Sequence, residues 1–189
     1  MNRVNKADAM LKFNKNIYLK SPIYITSDAF WDGGIRADSS LREKAEFYYL
    51  AEKMSRIIKN MIVASNENVF IGKALCENEQ LYAHWSDLEA FELFREVSQL
   101  FKPRQYYEIS LPKDSGVIDL IVESNFRYFT HIALYLPKSN VIVLPTCHTE
   151  VIVYSTYPDK MIGLLNDIVA ECSDEKYKIV CKICDATVL

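Results

Sequence analysis

Cys147 and His148 stand side by side, and His131 lies upstream in the same apolar stretch. A thiol becomes a catalytic nucleophile when a base takes its proton and a third group orients that base. These three residues are the chain's candidate for such chemistry, as a small thiol-dependent hydrolase or transferase. Their setting argues against it. Neighbours in an extended segment point to opposite faces, so His148 is poorly aimed at Cys147. A tight turn at Lys138-Ser139 would bring His131 opposite Thr146, within approach of either residue of the pair. The simpler reading is a buried cysteine and a hydrogen-bonded histidine in a turn.

Cys181-Lys182-Ile183-Cys184 is a second candidate. A redox CxxC needs its first thiol at a helix N-terminus, where the dipole stabilises the thiolate. Here the pattern falls in a predicted strand, with the two thiols on opposite faces. A structural zinc site needs a second pair of ligands. Cys147, His148 and Cys172 do not supply one at a paired spacing, so the sequence implies neither metal nor cofactor. It also contains no nucleophile elbow, no HExxH and no recognisable pair of catalytic carboxylates.

Other patterns suit recognition better than reaction. Asp32-Gly33-Gly34-Ile35-Arg36 leads into a capped helix, a setting in which backbone N–H groups can hold an anion. The phosphate-loop spacing is absent, however, and Asp28, Asp32 and Asp38 would oppose a phosphate. The same loop carries Phe30 and Trp31 beside Arg36, and Trp and Arg are among the residue types that dominate protein interfaces. Glu89, Glu92 and Glu96 recur at the spacing of one helix face, with Glu77 and Glu79 upstream. They lack the lysines at i+4 that would compensate them, and like charges so placed cost stability. A basic partner would offset that cost and be steered to the ridge. His84 beside Trp85 reads as a packed loop residue.

Composition narrows the classes. The chain has 189 residues, half of them apolar and a quarter charged, which fits one globular domain over 1–189 with a substantial core. A net charge of −3 predicts neither direct nucleic-acid binding nor an anionic membrane. Five cysteines form no disulfide framework and read as free thiols of a reducing cytoplasm. The basic residues near Met1 leave no room for a signal peptide, and the apolar runs Ile132–Leu136 and Val141–Leu144 are too short to span a bilayer.

The elements that would position these groups follow from periodicity. Residues 1–12 are expected to fray or form a short helix. Asn16–Lys20 and Ile23–Thr26 alternate as strands. A helix is predicted from Leu41 to Ile62, capped by Ser39 or Ser40 with Glu43 completing a capping box. Its core face is Phe47, Leu50, Ala51, Met54, Ile57, Ile58, Met61 and Ile62. Val69–Leu75 reads as a strand with Gly72 as a possible bulge. A second helix is expected from Ser86 to Phe101, then a strand at Tyr106–Leu111. Ser115–Asn125 is expected to be helical, with a buried strand at Val117–Val122 as the alternative.

Thr130–Leu136, Val141–Leu144 and Glu150–Ser155 are strands on connections short enough to force antiparallel pairing. Both faces of the middle strand are apolar, so this sheet needs cover on each side, from the chain or from a partner. A helix over Asp159–Cys172 and a strand over Tyr177–Val188 complete the chain. The sum is an α+β fold, an antiparallel meander packed by about four helices. For function, the expectation is a protein-binding module. Its sharpest form is a cytoplasmic inhibitor of the immunity type, neutralising a basic partner such as a toxin nuclease through Trp31, Arg36, Glu89, Glu92 and Glu96.

Overall fold

Near-continuous apolar runs within 131–155, broken by the turns at 137–140 and 146–150, form three antiparallel strands in sequence order. The computed structural model describes residues 1–4, 22–27, 39–74, 95–97, 99–101, 105–127 and 131–183. Eight strands form one open sheet: β1 (Asn2–Val4), β2 (Ile23–Ser27), β3 (Val69–Ala74), β4 (Tyr106–Ile109), β5 (His131–Leu136), β6 (Val141–Pro145), β7 (Val151–Ser155) and β8 (Ile179–Ile183). Their order across the sheet is β1-β4-β3-β5-β6-β7-β2-β8. Every pairing is antiparallel. The helices are α1 (Leu41–Ser65), α2 (Ser115–Phe126) and α3 (Pro158–Cys172), with a further helical stretch at 95–97 and 99–100. The result is a single-domain α+β fold, as the periodicity implies.

Helix α1 starts where its cap chemistry dictates. The Ser40 hydroxyl accepts from the Glu43 N–H at 3.2 Å, and the Glu43 carboxylate accepts from the Ser40 N–H at 2.6 Å. These reciprocal bonds satisfy donors that the first turn would otherwise leave bare. The helix ends at Asn66, which adopts the left-handed conformation at φ 48°. All eight residues expected on its core face are buried, together with Ser55. The Ser55 hydroxyl and the Lys59 ammonium both reach Asp119 of α2, at 2.5 and 2.6 Å.

The helix-side core joins that face to Ile118, Ile121, Val122 and Phe126 of α2 and Leu165, Ile168 and Val169 of α3. Beneath them lie Ile23, Ile25, Val69, Ile71, Ile132, Leu134, Val143 and Val153 from the sheet. Residues 115–126 are therefore helical, and the alternative strand at Val117–Val122 does not form. The other face of the sheet is apolar as well. Phe70, Tyr135, Ile142 and Tyr154 are consecutive cross-strand partners in one row. Phe70 and Tyr135 are buried there, outside the helix-side core. The middle strand thus carries apolar side chains on both surfaces, as its sequence requires.

Two expectations need correction. Asn2–Val4 is not a frayed end or a helix: it is an edge strand paired with β4. The Met1 ammonium fixes its start by an ion pair with Asp114 at 2.7 Å. Gly72 is not a bulge either, because it pairs in regular register with Tyr106 on one side and Ala133 on the other. The expected strand at Asn16–Lys20 and most of the Ser86–Phe101 helix lie outside the described residues. At the latter's C-terminal end, Val97 and Phe101 are buried and Glu96 is exposed, in the predicted phase.

Candidate functional site

The meander places the first chemical candidate in a turn. β6 ends at Pro145 and β7 begins at Val151, so Cys147 and His148 sit at the tip of a hairpin. The Thr146 N–H donates to the Glu150 carbonyl at 2.9 Å, and the Thr149 N–H to the Thr146 carbonyl at 3.2 Å. Thr149 takes the left-handed conformation, φ 55°, at the position where such three-residue loops favour glycine. His148 is exposed and its N–H donates to the Thr146 hydroxyl at 3.3 Å. Cys147 is half-buried.

His131 opens β5, and the Leu134↔Val143 register carried back along both strands sets it opposite Thr146. There the ladder is taken over by the buried Asn125 amide. Its nitrogen donates to the Ile132 and Pro145 carbonyls, both at 2.9 Å, and its oxygen accepts from the Ile132 N–H at 3.1 Å. Through these bonds the amide clamps β5 to β6. Glu150 stands beside the turn, and burial raises its carboxyl above the usual range, against the opposing pull of His148 and the Thr146 hydroxyl.

Cys181 lies in β8 on the helix side, opposite Ile25. Burial pushes its thiol up to about 11. A redox CxxC requires the reverse shift. Cys184 and Cys76 lie outside the described residues, as do His84 and Trp85. Among the described residues no group of three metal-ligating side chains is gathered.

Of the residues proposed for partner binding, Trp31, Arg36, Glu89 and Glu92 lie outside the described residues. Glu96 is exposed at the described end of the ridge. Arg127 is a buried cation that the sequence did not single out. Its guanidinium stacks over Phe47 and Tyr48, pairs with Glu123 at 3.0 Å and donates to the Tyr48 hydroxyl at 2.6 Å. Those contacts fasten α2 to α1, which is a structural task.

The recess that the sequence did not reveal lies at one end of the sheet, between the C-terminal turn of α1, the β5–β6 turn and the start of α3. Its volume is about 520 Å³. Its floor follows the sheet register: Leu136 pairs with Val141, and Val141 with Ser155, so three strands contribute one row. Met61, Ala64 and Ser65 form the α1 wall, and Lys160, Met161 and Leu164 the α3 wall. Lys138 and Ser139 close the third side.

Glu67 fixes that third side. Its carboxylate accepts from the Lys138 N–H at 2.5 Å, the Ser139 N–H at 3.1 Å and the Ser139 hydroxyl at 2.5 Å. Tyr157, 69% exposed, and Leu164, 38% exposed, stand at the rim. Among the described residues that line the recess there is no carboxylate, imidazole or thiol. Those residues can hold a ligand by apolar contact, hydroxyl hydrogen bonds and positive charge.

No helix among the described residues is long and apolar enough to cross a membrane. Comparison with known proteins yields no match to a protein-family model, to a curated protein or to a solved structure.

Proposed function

We propose that this chain is a protein-binding module, acting in the cytoplasm as an inhibitor of a basic partner such as a toxin nuclease. The observation that carries the reading is the exposed Glu96 at the end of a helical stretch whose opposite side, Val97 and Phe101, is sunk in the core. That phase leaves Glu96 to solvent, and Glu92 and Glu89 precede it in the sequence at the spacing of one helix face. A nearly single-sign carboxylate ridge, with the exposed Arg95 as its one cation, approaches the field of a nucleic acid. It would therefore be drawn to the cationic cleft of a nuclease and cover it. The test is co-capture of a basic protein by the native chain and its loss when Glu89, Glu92 and Glu96 are changed together to Lys.

A second reading retains the thiol chemistry, with Cys147 as nucleophile and His131 or His148 as base. The proximity of the Glu150 carboxylate to His148 favours it, since a carboxylate can orient a catalytic imidazole. Selective alkylation of Cys147 separates the two readings.

A further inference from the structure

The geometry points to the recess beside α3 as a binding site for a small amphiphilic anion, a carboxylate or phosphate head on an aliphatic tail. The volume of about 520 Å³ lies within the range of small-molecule sites, roughly 300–1,000 Å³. The division of its lining sets the ligand class. Leu136, Val141, Met61 and Met161 make an apolar interior that suits a tail. Lys138 of the β5–β6 turn and Lys160 of α3 both line the recess and are exposed, and no carboxylate is among its described lining residues.

Other described lysines are paired differently: Lys53 reaches Asp174 at 2.9 Å and Lys59 reaches Asp119 at 2.6 Å. Among the described residues the Lys138 ammonium donates to a backbone acceptor, the Asn66 carbonyl at 3.5 Å. An anion between the two ammonium groups would accept charge-assisted hydrogen bonds from both.

The start of α3 adds to this field. Tyr157 is its N-cap and supplies no side-chain acceptor, while Pro158 occupies the first turn. The helix dipole directs positive potential to that end. Asp159 in the same turn draws on that potential but is exposed and does not line the recess. The head group therefore belongs between Lys138 and Lys160, with the tail running down towards the Leu136–Val141 row. This site is independent of the glutamate ridge, so either can fail without the other.

The experiment uses three probes on the full chain, followed by calorimetry and by NMR of the Leu, Val and Met methyl groups. Octanoate has both charge and tail, octanol only the tail, and inorganic phosphate only the charge. The expected result is saturable octanoate binding that shifts the Leu136, Val141 and Met161 methyls. Octanol and phosphate should bind at least tenfold more weakly. The double variant Lys138→Gln, Lys160→Gln changes two exposed side chains and should lose octanoate affinity at least tenfold while keeping the wild-type methyl spectrum. Equal affinity for octanol, equal affinity for phosphate, or shifts confined to other parts of the molecule would each overturn the proposal.

Discussion

The Glu67 carboxylate holds Ser139 twice, by its backbone N–H at 3.1 Å and its hydroxyl at 2.5 Å, although the two residues are far apart in the chain. A third bond, from the Lys138 N–H at 2.5 Å, completes the set. The β5–β6 turn is therefore tethered to the end of α1 by one nearly buried carboxylate. That tether sets the width of the recess beside α3.

Glu67→Ala leaves three donors without their acceptor. Hydrogen bonds to a charged group contribute about 1.5–3 kcal/mol each, and partial hydration of the freed groups limits the total. The expected loss is about 3 kcal/mol in urea unfolding, with new methyl shifts at Leu136 and Val141. Glu67→Gln keeps one acceptor and should lose about half as much. A loss below about 0.5 kcal/mol, the range of ordinary surface changes, would show that the turn holds itself.

Glu150 sets a pH dependence. Burial raises its folded pKa above the unfolded value, so folding favours the protonated form. Its contribution is fully present below the unfolded pKa, about 4.3, and is lost as pH rises through the folded value. Glu150→Gln removes that titration while keeping an oxygen for the Thr146 hydroxyl. The variant and wild type should be equally stable in acid. The variant should become the more stable as pH is raised from 4 to 7, by roughly the range over which the carboxyl ionises. An unchanged difference across that range would remove Glu150 from the account.

Much of the helix-side core was legible because it depends on local period. The Ser40–Glu43 box, the buried face of α1 and the three meander strands all lie within short stretches whose pattern is not ambiguous. Gly72 was misread because a glycine in a strand often marks a bulge, and only its two neighbours show that the register is kept. Asn125 and Glu67 were invisible for a different reason. Each is a polar residue among other polar residues, and its partners are brought to it by tertiary packing. The recess is the extreme case. Lys138 and Lys160 line one recess because of the pairing of Leu136, Val141 and Ser155, which no linear spacing encodes.

The cysteines test the rival chemistry. Burial raises the Cys172 thiol and pushes the Cys181 thiol up to about 11, so both should alkylate slowly with iodoacetamide in the folded protein at pH 8. Cys147, half-buried in its turn, should react no faster than a simple peptide thiol. A rate for Cys147 a hundredfold above the peptide standard, lost on changing His131 or His148 to Ala, would instead establish the thiol reading.

The most direct measurement of the central claim is affinity capture from the native cell, with wild type and the Glu89→Lys, Glu92→Lys, Glu96→Lys variant in parallel and mass spectrometry of what each retains. The account predicts a basic protein enriched on the wild type and released by raised salt, with recovery on the variant reduced at least tenfold. Equal recovery of the same partner on both chains, or no basic protein enriched on either, would contradict it.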